Sequence, residues 1–157
     1  LAVYEACVEE SILPAGAFSV ATMWDVLEHS VNPVQALLNV RSALRPAGLL
    51  FISVPNVEST VGRLLKHRWP LLLLEHLWYF SPTTLSRLLE MTRFRLVRLL
   101  PHRVTFSLRF ILLRLLQQGA LPSSWQRRVE SASWLRRISV SFAMGEMTAV
   151  AQRMEPC

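Results

Sequence analysis

A chain of 157 residues with 52% hydrophobic side chains and five tryptophans is long and apolar enough to bury one core, which excludes a disordered polypeptide. Its net charge of +6 is lopsided, with five basic and seven acidic groups in residues 1–80 against twelve and four in residues 81–157. Sixteen of the seventeen basic residues are Arg, Lys66 being the exception, and no aromatic-basic motif accompanies them, so no nucleic-acid partner is expected.

Residues 1–4, Leu-Ala-Val-Tyr, read as the tail of a strand, followed by Glu9-Glu10 and a loop through Pro14-Ala15-Gly16. Residues 18–24 then form an apolar run that suits one buried strand and turns abruptly into Asp25, Glu28 and His29, which are costly to bury without partners. Asn32 supplies an N-cap and Pro33 a first helical residue, with Val34, Leu37, Leu38 and Leu44 at helical spacing and Pro46-Ala47-Gly48 as the stop. Residues 49–54 are continuously apolar, the pattern of a strand covered on both faces, and end at Pro55-Asn56. Strand, helix, strand makes a βαβ unit whose right-handed crossover puts Asp25 and Asn56 on one edge of the sheet. Ligands of open α/β sheets bind at that edge, which makes residues 23–29 the candidate site.

Residues 57–80 read as a lid or a helix-loop segment containing Glu75-His76-Leu77-Trp78-Tyr79-Phe80. Ser81-Pro82 repeats the cap-plus-proline start, Leu85, Leu88 and Leu89 give the next helix its buried side, and it ends near Thr92. Residues 94–100 suit a strand stopped by Pro101, and residues 104–117 and 125–138 suit helices, the second surrounded by Arg127, Arg128, Arg136 and Arg137. Residues 147–153 suit a short strand closing the sheet. No apolar run reaches the roughly 20 residues needed to span a bilayer, and no secretion signal is readable. Cys7 and Cys157, near opposite ends and without metal-ligand spacing, point to a reducing compartment, and a cytoplasmic location is expected.

The run Met23-Trp24-Asp25-Val26-Leu27-Glu28-His29, then Asn32-Pro33, Leu44-Arg45-Pro46-Ala47-Gly48-Leu49-Leu50, the block 75–82 and Glu146-Met147-Thr148-Ala149-Val150-Ala151 together resemble the class I S-adenosylmethionine-dependent methyltransferases over residues 1–100 and about 145–153. The resemblance implies an α/β, partial Rossmann-like methyltransferase fold: a mainly parallel sheet with flanking helices, an antiparallel final strand and a helical insertion. It implies one truncated domain over residues 1–157, with residues 102–140 as a helical insertion or lid. No glycine-rich loop after a first strand and no acidic residue closing a second one are present, so the half of the fold that holds the donor's methionine and ribose parts is expected to lie outside this sequence, and the chain alone is expected to bind S-adenosylmethionine poorly. Ser19 and Ala47 stand where the family has Asp and Gly.

Carried across by position, the resemblance makes Cys7 and Val8 the loop beside the adenine, and Met23, Trp24 and Asp25 the strand edge along the cofactor. Trp24 offers a cation–π face to the sulfonium or packs in the sheet. Glu28 orients the cofactor or His29, or complements the positive end of the following helix. His29 and His76 are the candidate bases for a small-molecule acceptor methylated at oxygen, the other readings being a backbone-bonded turn residue and a tether from lid to core. Glu28, His29, Glu75 and His76 offer carboxylate and imidazole, which are good metal ligands, but no His-x-x-x-His spacing supports a site, and no metal is assigned. Asn56 contacts substrate or is an ordinary turn residue. The runner-up reading is a non-catalytic module that meets an anionic membrane or a partner through residues 104–138.

Overall fold

The computed structural model describes residues 3, 5–10, 13–117, 119 and 121–155. The expected strand tail at residues 1–4 falls largely outside them, as does Cys157, while Cys7 is a free, exposed thiol. The chain divides into two compact units, Leu1–His102 with Met144–Cys157, and Arg103–Ala143.

In the first unit β1 (Phe18–Trp24) leads through a 3-10 turn at Leu27–His29 into α1 (Pro33–Ala43), which runs straight into β2 (Leu44–Pro55). Asn32 caps α1 by accepting from the Gln35 N–H, and Pro33 takes the first helical position, where its missing donor costs nothing. The helix ends at Ala43, before the Pro46-Ala47-Gly48 stop, because β2 begins at Leu44 and holds a bulge. Phe18 pairs with Leu44 and Val20 with Leu49, so residues 45–48 loop out, with Ala47 at φ 59. That left-handed backbone is strained for alanine, and it is where the family's glycine would sit without strain.

After β2 come α2 (Thr60–Leu65), a 3-10 turn, an irregular stretch to residue 80, α3 (Pro82–Met91) and β3 (Phe94–Pro101). Ser81 and Thr84 form a reciprocal capping box at the start of α3. In the second unit β4 (Val104–Ser107) precedes α4 (Leu108–Gln117), α5 (Gln126–Ser131) and β5 (Ser139–Phe142). β4 and β5 pair antiparallel, so the helix expected over residues 104–117 begins four residues later, and a small ribbon accompanies the helices. No described helix is long and apolar enough to cross a membrane.

The final strand, β6 (Glu146–Arg153), returns to the first unit, where the four-stranded order is β1-β2-β6-β3. β1 and β2 pair parallel, and β6 runs antiparallel to both β2 and β3. Three strands therefore share one direction, as in a mainly parallel sheet with an antiparallel last strand. Because β6 inserts between β2 and β3, two of the three ladders are nevertheless antiparallel. β6 does not close an edge, and its central place explains why Met147, Ala149 and Ala151 are buried at every second residue. The core joins these to Leu50, Ile52 and Val54 of β2 and to Leu37, Leu85, Leu89 and Phe94.

β1 departs from expectation. Only Met23 of its seven residues is buried, and Phe18 and Val20 are exposed. As the edge strand it has a neighbour on one side only, so an apolar run that reads as a covered strand stays partly open.

Candidate active site

The sheet registers Trp24 with Ser53, and Pro55 with Glu146, so Asp25, Asn56, His102 and Glu146 share one edge at the carboxyl ends of β1, β2 and β3. Asp25 leaves β1 at φ 52, a conformation Asp tolerates better than most residues, while its N–H donates to the Ser53 carbonyl at 3.3 Å. This left-handed step breaks the strand and turns Leu27 and Glu28 inward, where both are buried.

The Glu28 carbonyl accepts from the N–H groups of Leu77 and Trp78 at 2.9 and 3.1 Å, which ties residues 75–78 to the turn after β1. Trp78 adds a bond from its indole Nε1 to the Ser30 carbonyl at 2.8 Å. On this scaffold the His29 and His76 rings meet edge to face with centroids 4.7 Å apart. His29 Nδ1 lies 3.0 Å from the Glu75 carbonyl, an acceptor only, so Nδ1 carries a proton, and in the neutral ring the lone pair is on Nε2. The two Glu-His pairs thus meet across the edge, Glu75 contributing its backbone rather than its carboxylate. Asn56 instead forms a turn, accepting from the Glu58 N–H through its side chain.

Charge is concentrated here. Burial pushes the Glu28 carboxyl above the ordinary carboxylate range, and the Asp25 charge adds to this against the Glu28 backbone and His29. Glu146 is raised likewise by burial and by Asp25, against His102, whose Nε2 lies 3.7 Å from it. Burial, then His29, lowers His76, which keeps that imidazole neutral near neutral pH. Glu28 Oε2, Ser53 Oγ and His76 Nδ1 are buried without a hydrogen-bond partner among the described residues. Ser53, Glu146 and His102 are neighbours that the sequence did not single out; only the register of β6 brings Glu146 to this edge.

The remaining candidates divide. Val8 and Met23 line one apolar cavity of about 320 Å³ beside β1. Trp24 is 49% exposed, with its ring 6.3 Å from that of His102, so the indole is presented at the edge rather than packed in the sheet. Cys7 is exposed and does not line that cavity. The loop carrying Cys7 and Val8 is fastened by Asn39, whose Nδ2 donates to the Val8 and Glu9 carbonyls, and by Glu9, whose Oε1 accepts from Ser30 Oγ at 2.7 Å and the Val31 N–H at 2.9 Å.

The bond from Ser30, followed by backbone hydrogen bonding, holds the Glu9 carboxyl below its ordinary value. A carboxyl depressed by folding contributes stability that is present above its unfolded pKa and lost as pH falls through the folded one. Glu9→Gln is therefore expected to lower unfolding stability by about 1 kcal/mol at pH 7, after discounting for solvent, and by progressively less as acid protonates the wild-type carboxyl. Urea denaturation across that pH range measures the difference.

Residues 4–99 match the sequence pattern of the methyltransferase domain. The chain belongs to that family. Solved structures agree on the fold: an S-adenosylmethionine-dependent methyltransferase from Thermotoga maritima superposes with TM-score 0.57 at 16% identity, covering 93% of this chain and 61% of that one. The Burkholderia thailandensis 1,6-didemethyltoxoflavin-N1-methyltransferase, solved with its substrate and S-adenosylhomocysteine, gives 0.52 at 16%, covering 94% and 48%. The cyclase SpnF gives 0.52 at 16%, covering 95% and 54%, so one fold serves different chemistries. The chain thus spans about three fifths of the Thermotoga protein and half of the Burkholderia one. No curated protein sequence matches it significantly.

S-adenosylmethionine, the donor of the dependent methyltransferases, joins a flat purine to positively charged sulfonium and ammonium groups. The methyltransferase domain described here offers surfaces suited to both: an apolar wall at Val8 and Met23, and coupled carboxylates at Asp25, Glu28 and Glu146 beside an open indole.

Proposed function

We propose that the chain takes part in methyl transfer from S-adenosylmethionine to a small-molecule acceptor, at an oxygen. The observation that carries this is the convergence of Glu28, His29 and His76 at the carboxyl edge of β1, beside an exposed Trp24 and a backbone-strained Asp25. The donor supplies a methyl group on a positive sulfonium that passes in line to the acceptor oxygen. Val8 and Met23 hold the purine, Trp24 faces the sulfonium, and Asp25 adds the field that favours a cation there. His29 accepts the hydroxyl proton at Nε2, the Glu75 carbonyl fixing its tautomer, and His76 closes the opposite wall.

A cation–π contact is worth about 0.5–2 kcal/mol, so Trp24→Ala is expected to weaken donor binding about 2- to 30-fold. Equilibrium dialysis with labelled S-adenosylmethionine reads this directly. Unchanged affinity in Trp24→Ala and in Asp25→Asn would remove the edge of β1 from the donor site.

A further inference from the structure

We propose that Glu28, His29 and His76 form a binding site for one divalent first-row transition cation such as Zn²⁺, Co²⁺ or Mn²⁺. The three residues each present one ligand atom, and these atoms lie within 4.8 Å of one another. Ligands about 2.0–2.1 Å from a metal stand roughly 3.3 Å apart in a tetrahedron, so a bound cation would draw the three atoms closer together than they stand here.

Proximity alone would not point to a cation. Glu28 is 1% exposed and its Oε2 has no hydrogen-bond partner among the described residues, and His76 Nδ1 is likewise buried and unpartnered. A buried carboxylate oxygen and a buried imidazole nitrogen, both without a donor, leave electron pairs that a cation satisfies. His29 is already arranged as metal-bound histidines are, one ring N–H held by a backbone carbonyl and the other nitrogen free. The frame is built as well: the Glu28 carbonyl holds Leu77 and Trp78, and Tyr79 Oη bonds the backbone of Leu73, so the segment carrying His76 is fixed against the turn carrying Glu28 and His29.

Two imidazoles and one carboxylate make a donor set that suits imidazole-accepting divalent metals better than Ca²⁺ or Mg²⁺, and three protein ligands leave positions open for oxygen donors. This deepens the reading of the acceptor site: with the cation bound, both imidazoles are ligands and His29 is no longer the base, so an acceptor hydroxyl at an open position would be acidified by the cation and would lose its proton to solvent. Metal binding itself does not require that methyl transfer be correct.

The test is titration of the metal-free chain with Co²⁺, followed by visible absorption, and with Zn²⁺, followed by calorimetry and thermal unfolding. One equivalent is expected to bind and raise the unfolding temperature. Glu28→Gln and His76→Gln are each expected to weaken binding at least 10-fold and abolish the temperature rise, while His67→Gln, at an exposed residue outside the cluster, leaves both unchanged. Glu28→Gln keeps the side chain's shape and removes its charge, so its metal-free unfolding temperature should equal or exceed that of the wild type, which separates lost binding from misfolding. No stoichiometric binding, or binding that survives both substitutions, would overturn the site. Metal binding without methyl transfer would instead leave it standing and remove the catalytic reading.

Discussion

Replacing His29 and His76 together by alanine is expected to lower the rate of methyl transfer about 10²- to 10⁴-fold, the usual contribution of a positioned base. The donor contacts proposed above are on Val8, Met23 and Trp24 and not on these rings, so the loss should fall on turnover with little change in donor affinity. The two rings act as a unit, 4.7 Å apart on segments that the Glu28 carbonyl ties together, so the single variants should not multiply to the double one. Single-turnover measurement with labelled donor separates the chemical step from binding. A double variant that reacts as fast as the wild type would show that the rings serve only to tie residues 75–78 to the turn after β1.

The second large effect is expected far from those rings in sequence. Gly145 sits at φ 103, and a Cβ there would stand 2.5 Å from Ser59 Oγ and 3.0 Å from the Trp69 ring. Gly145→Ala therefore combines backbone strain with overpacking, and is expected to cost about 2–4 kcal/mol. Trp69 is buried, and its Nε1 donates to the Met144 carbonyl at 2.8 Å, pinning the start of the segment that carries His76. The variant should thus loosen the cluster as well as the fold. Urea unfolding measures the first, and loss of Co²⁺ binding in the still-folded variant measures the second. A stability change under about 0.5 kcal/mol would show that the 59–69 region yields easily.

Much of this architecture was legible from local chemistry. Asn32-Pro33 and Ser81-Pro82 announced their helices because capping is decided within one turn, and both caps form as read. The polar end of β1 was legible for a related reason, since Asp25, Glu28 and His29 directly follow an apolar strand. What residue order could not show was the sheet's lateral order. The insertion of β6 between β2 and β3 is a long-range choice, and it alone carries Glu146 to Asp25 and Gly145 to Trp69. The exposure of Phe18 and Val20 was hidden likewise, because a run of apolar residues reads alike on an edge strand and in the middle of a sheet. In residues 104–107 β-propensity overrode the apolar helical pattern once Ser139–Phe142 supplied a partner strand.

The central claim is that the carboxyl edge of β1, with Trp24, Asp25, His29 and His76, is where a methyl group is transferred. It is tested most directly by incubating the chain with methyl-labelled S-adenosylmethionine at saturating concentration and a panel of small phenols, alcohols and amines, then tracing the label. Incorporation into a hydroxyl acceptor that falls at least 100-fold in His29→Ala/His76→Ala is the predicted result. Label transfer that is indifferent to both imidazoles would contradict it.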